Sequence, residues 1–154
     1  MSARSWLAAP VMLAVLSLPA VALADGTVTV EPTKQKPFGA EKYLSMTYDI
    51  KSPRDAATGQ ATGRRQHGLV CFVRTPSQTT PAWYSAAVNN EPLKSVTFDD
   101  GTLRFKLTNA FAANVKFFER DKIALEEICL TFQKIDITHI KSGATSSDSW
   151  MQPV

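Results

Sequence analysis

Hydrophobic and polar positions alternate through most of this chain, and the alternation predicts strands far more often than helices. Thr27 to Val30 reads as a short strand, after which Pro32, Pro37 and Gly39 are expected to stop anything long. Over positions 43–50, Leu44, Met46, Tyr48 and Ile50 share one face of a half-buried strand. Positions 51–66 form a long polar loop punctuated by Pro53, Gly59 and Gly63, of the kind often reserved for function. The next strand, 67–74, is apolar at every position from Leu69 to Val73, which predicts burial on both faces. Thr80 as N-cap and Pro81 in the first turn open the one convincing helix, with Trp83, Ala86 and Ala87 on one side. Positions 93–98 and 102–109 pair as a hairpin about Asp99-Asp100-Gly101. A further strand, 111–117, puts Phe111, Ala113, Val115 and Phe117 on one face, and a charged turn at 119–122 follows it. The last strand, 125–140, changes parity: Ile128, Leu130 and Phe132 face one way, Ile135 and Ile137 the other. Either its two ends bury opposite faces or a bulge lies near Gln133-Lys134. The sum is a mainly β domain, closing as an antiparallel barrel or sandwich with one short helix.

The start of the chain reads differently. Arg4, an apolar run from Trp6 to Leu18 and the Ala22-Leu23-Ala24 cleavage signature make residues 1–24 a secretory signal peptide. The domain is then 25–154, long enough for one core. No later stretch is long and apolar enough to span a bilayer as a helix, so no membrane partner is expected after cleavage. The formal charge of +3 for the whole chain, which falls further once Arg4 leaves, predicts no nucleic-acid binding. Export places Cys71 and Cys129 in an oxidising compartment, where a pair favours a disulfide. Two buried thiols result instead if the predicted strands lie too far apart.

Catalytic chemistry finds little footing. The Asp99-Asp100 pair sits at a hairpin tip, and Glu126 and Glu127 point to opposite faces of a strand. The sequence has no GxSxG, glycine-rich phosphate loop or HExxH. His67 and Cys71 share parity, as do Cys129 and His139, but on an extended strand His67 and Cys71 stand about 13 Å apart. That spacing forbids one zinc ion from using both. No enzyme activity and no cofactor are expected. Trp150 reads as a packing anchor, Asp148 as a cap or turn acceptor, and His139 as a structural hydrogen-bonding group.

The run Phe132-Gln133-Lys134-Ile135-Asp136, then His139, Gly143, Ser147-Asp148 and Trp150, resembles the C-terminal signature of the haemolysin-coregulated protein (Hcp) family, the tube proteins of type VI secretion. The 58–67 segment, with Gly59, Gly63, Arg64, Arg65 and His67, is similar to that family's arginine-containing loop closing on a histidine. The resemblance covers about 43–150 and implies a β-barrel of two sheets with one flanking helix. It also implies hexameric rings that stack into a tube, contact other type VI components and carry small effectors. Arg64, Arg65, His67, His139, Asp148 and Trp150 become structural or assembly residues on this reading. The leader and the short segment before position 41 depart from the family pattern. They motivate the alternative of an exported, monomeric binding or adaptor module.

Overall fold

The computed structural model describes residues 26–150; residues 1–25, which include the segment 1–24 expected to be a leader, and the last four residues lie outside the described range. Eleven strands and one helix follow in chain order. They are β1 (Gly26–Pro32), β2 (Phe38–Tyr43), β3 (Ser45–Thr47), β4 (Ile50–Lys51), β5 (Gln66–His67), β6 (Val70–Arg74), α1 (Thr80–Val88), β7 (Leu93–Asp99), β8 (Leu103–Arg120), β9 (Ile123–Thr131), β10 (Lys134–His139) and β11 (Thr145–Ser149). Every pairing is antiparallel. The expected mainly β, two-sheet architecture with one flanking helix is what forms. One sheet runs β2-β1-β7-β8-β10-β11 and the other β8-β9-β6-β3, so the 18-residue β8 belongs to both. Hydrogen bonding does not close the strands into a continuous ring, because β2 and β3 end the path.

The corner between the sheets is made twice. Asn109 takes φ 52°, a left-handed conformation that asparagine tolerates, and turns β8 from one sheet into the other. Segments 102–109 and 111–117, expected as separate strands, are therefore one. Opposite that bend the 125–140 run breaks at Phe132-Gln133 into β9 and β10, which lie in different sheets. The parity change thus marks a crossing between sheets. The expected face of Phe111, Ala113, Val115 and Phe117 also fails, because a bulge between Ala112 and Asn114 swaps parity and buries Ala112.

Other local expectations shift for physical reasons. Pro37 and Gly39 do not prevent β2, which is an edge strand paired to β1 alone, and an irregularity between Val28 and Val30 absorbs the mismatch. Positions 43–50 are broken: Tyr43 ends β2, the chain crosses at Leu44, and Leu44 and Ile50 stand exposed. Leu69 is exposed too, and β6 is half-buried, with Val70, Phe72 and Arg74 inward. Thr79, not Thr80, is the N-cap residue of α1. The polar tail beyond position 140, to which the alternation assigns no element, contributes β11.

Trp83 and Ala86 of α1 dock on the core, whose aromatic centre links Phe38, Trp83, Phe72, Phe98 and Tyr43 edge to face at centroid distances of 5.2–5.7 Å. Such pairs add to the burial of large apolar area. Inward parity on β6 and β9 also carries charge. Arg74 and Glu126, register partners, are both buried, with Arg74 Nε donating to Glu126 Oε1 at 2.5 Å. Arg74 also pairs with Glu41 of β2 and donates to Thr79 Oγ1 at 3.0 Å.

Candidate functional site

The 51–66 loop leaves the body after β4 and returns through β5, and those two short strands pair with each other. Asp55 shapes its tip by accepting hydrogen bonds from the backbone N–H groups of Ala57 and Thr58. An isolated bridge joins Arg54 to Ala61. Almost all of the loop is exposed, so its shape rests on these internal bonds and on its attachment at the base.

That attachment is a polar cluster shared with the C-terminal strand. Arg65 grips Asp148 of β11 through two guanidinium nitrogens, a bidentate ion pair. His67, buried, sits beneath it: Nε2 lies 3.1 Å from Asp148 Oδ2, close enough for a charge contact but poorly aligned as a hydrogen bond. Its Nδ1 is 2.8 Å from the Tyr48 hydroxyl. Phe132 meets the imidazole edge to face at 5.4 Å, and Trp150 tilts over it at 5.1 Å. Asp148 also accepts from the Ser149 backbone N–H at 2.8 Å. The hydrogen bonds from Arg65 hold the Asp148 carboxyl below its ordinary pKa, against the opposing effect of burial. Burial, with the charges of Asp148 and Asp49, pushes the Tyr48 phenol up.

The sequence-predicted residues thus divide. Arg65, His67, Asp148 and Trp150 come together, joining a loop to a strand 83 residues away. Arg64 is exposed on the rim of an adjoining cleft of about 550 Å³, walled by Gly63, Arg65, His67 and Trp150. His139 stands apart at the β10–β11 turn, where Nδ1 pairs with Ser142 Oγ at 2.7 Å. Asp148 does more than the local capping expected of it. Cys71 and Cys129 face each other as register partners on β6 and β9, joined as a disulfide with Cα atoms 4.0 Å apart.

Sequence reasoning missed Tyr48 and the Arg74–Glu126–Glu41 network. Tyr48 was assigned to a strand face and not to a histidine. The network had a signal: Arg74 shares the parity of Val70 and Phe72, and Glu126 that of Ile128 and Leu130, so two opposite charges sat on inward positions. Among the described residues no group of three or more His, Cys, Asp and Glu is arranged to hold a metal ion.

Comparison with known proteins gives this geometry a context. A family model described as type VI secretion system effector, Hcp, matches residues 28–139. The "Major exported protein" of Pseudomonas aeruginosa is 28% identical over 125 residues, covering 70% of this chain and 73% of that protein. Among solved structures, one described as Hcp protein superposes with a TM-score of 0.75 at 18% identity, covering 82% of this chain and 99% of that one. Hcp1 from E. coli superposes with a TM-score of 0.73 at 22% identity, covering 82% and 98%. Secreted protein Hcp3 from Pseudomonas aeruginosa gives 0.69 at 18%, covering 83% and 99%. At these identities the structures speak for the fold alone, while the family model spans most of the chain, so the chain belongs to the Hcp family of type VI secretion.

Proposed function

We propose that this protein is an exported Hcp-family structural component whose subunits form rings of six that stack into a tube and hold small effectors. Residues 1–24 act as a leader on this reading, and 25–154 is the working domain outside the cytoplasm. The observation that carries the proposal is the family fold combined with sheet margins left open in a single chain. Among the described strands, β2 and β3 are unpaired on their outer sides, and β8 beyond Ala110 pairs with β9 alone. Phe117 and Ile123 at the far end of that hairpin are exposed. Open edges and exposed apolar side chains are what a head-to-tail ring covers. The 51–66 loop, polar and held at its base by Asp148, is suited to meet a neighbouring ring. The cluster of Arg65, His67 and Asp148 serves architecture: its imidazole is buried and its carboxylate is already occupied by a guanidinium.

The test is the mass of the leaderless protein in solution by light scattering, with negative-stain imaging. A six-fold ring with a central hole supports the proposal. A monomer at high concentration overturns it in favour of an exported binding or adaptor module.

A further inference from the structure

We propose that the Cys71–Cys129 pair is a redox fastener: it closes in an oxidising compartment and makes both the rigidity of the 51–66 loop and ring assembly conditional on that closure. The assembly half rests on the ring reading above; the loop half does not.

The argument begins with where β6 lies. It stands between β9 and the three-residue β3, near the open end of its sheet. Val70 and Phe72 pack into the core, but the backbone ladder that ties β6 to the body is its five-residue pairing with β9. Two cross-links reinforce that ladder. Arg74 pairs with Glu126 at one end, and Cys71 bonds to Cys129 three residues earlier. The covalent link joins positions 58 residues apart, and the intervening chain includes α1, β7 and β8. It also sits at the root of the loop. Thr47, directly opposite Cys71 on β3, precedes the outgoing leg, and His67 on the returning leg is four residues before Cys71. Both legs thus hang from strands that the cross-link holds.

Closure is an oxidation. Two thiols lose two protons and two electrons, and a sulfur–sulfur bond forms. The electrons reduce the disulfide of an exchange partner, an oxidoreductase or oxidised glutathione, whose own bond breaks. A reducing cytoplasm drives the reverse. Cys129 is 5% exposed and Cys71 half-buried, so once the sheet has formed weak thiolates reach the bond slowly, while a strong dithiol still opens it. The fastener then persists after the chain meets milder conditions.

The experiment compares the full chain, exported through its own leader in a bacterium with an oxidising periplasm, with the leaderless chain made in a reducing cytoplasm. Free thiols are trapped with a maleimide in denaturant, so that burial does not hide them. The exported protein is expected to take no maleimide and the cytoplasmic protein two. Adding dithiothreitol to the exported protein is expected to speed proteolysis within 51–66 at least tenfold and raise the concentration needed for assembly at least tenfold. The pair Cys71→Ala and Cys129→Ala, made together, should behave as the reduced protein does. If that variant fails to fold, reduced wild type carries the comparison. Free thiols in exported protein, or equal loop proteolysis in both redox states, overturn the proposal. Faster loop proteolysis on reduction, in a protein that never forms rings, overturns the ring reading and leaves the fastener standing. A chain that stays in the cytoplasm despite its leader overturns the export reading alone, and oxidised glutathione in vitro then tests the fastener.

Discussion

Arg74→Met should be among the most damaging single substitutions in the domain, and the reason is asymmetric. Arg74 side-chain exposure is 1% and that of its partner Glu126 is 0%. Removing the guanidinium leaves Glu126 buried without a counter-charge, and its Oε2 already lacks a hydrogen-bond partner among the described residues. Glu41 loses a partner as well, though it keeps Thr79 and Ser77 hydroxyls at 2.5 and 3.2 Å. Breaking a buried pair from one side costs about 3–5 kcal/mol. At about 2.1 cal/mol/K per residue, the unfolding entropy of a domain this size is about 0.26 kcal/mol/K, so the melting temperature should fall by about 12–19 °C. Replacing both partners, Arg74→Met with Glu126→Leu, removes the stranded charge and should recover all but about 1 kcal/mol. Urea unfolding of the oxidised protein at one fixed concentration gives both numbers, since any assembly would otherwise add a concentration term. A loss under 1 kcal/mol for the single substitution, or a double variant no more stable than the single one, refutes the reasoning.

Further outcomes follow from the loop, the tail and the corner. Asp148→Asn should cost about 1 kcal/mol, allowing for the partial exposure of its ion pair, and should loosen the 51–66 loop in hydrogen exchange. The folded pKa of Asp148 is depressed, so its contribution is present above the unfolded carboxylate pKa and lost as pH falls through the folded one. Wild type and Asp148→Asn should therefore converge in stability in acid, and a gap constant across pH denies that link. Trp150→Ala, which uncovers His67, should lower stability by about 1 kcal/mol or weaken assembly, as read by thermal melting and light scattering. No change in either would make the tail dispensable. Asn109→Gly should be tolerated, whereas Asn109→Val should cost about 1–2 kcal/mol because its φ is positive; equal denaturation midpoints would show that the corner is unstrained.

What the sequence disclosed was local. Asp99-Asp100-Gly101 announced a hairpin because its turn chemistry is carried by three adjacent residues, with Asp100 accepting from the Thr102 and Leu103 backbone N–H groups. Pro81 and Trp83 announced α1 in the same way. What stayed hidden depends on long-range register. Nothing near Cys71 says that Cys129 will stand opposite it, and nothing near Arg65 points to Asp148. The β2 strand was obscured because Pro37 and Gly39 forbid a central strand but not an edge, and edge status is a property of the whole sheet. The 125–140 parity change was legible as an irregularity, yet only the matching bend at Asn109 gives it meaning. Arg65, His67, Asp148 and Trp150 of the loop-base cluster were legible through the family resemblance, whereas Tyr48 joins them only through the fold.

The shared strand β8 has a mechanical consequence. Its 18 residues, at about 3.3 Å each, would span about 60 Å if straight, and it forms ladders with β7, β10 and β9 along the way. A force applied along the domain therefore loads many backbone hydrogen bonds at once, in shear. A pull on the C-terminal end meets a different geometry: among the described strands β11 pairs with β10 alone and can unzip pair by pair, once Asp148 lets go. The same chain thus combines a stiff spine with one strip that peels.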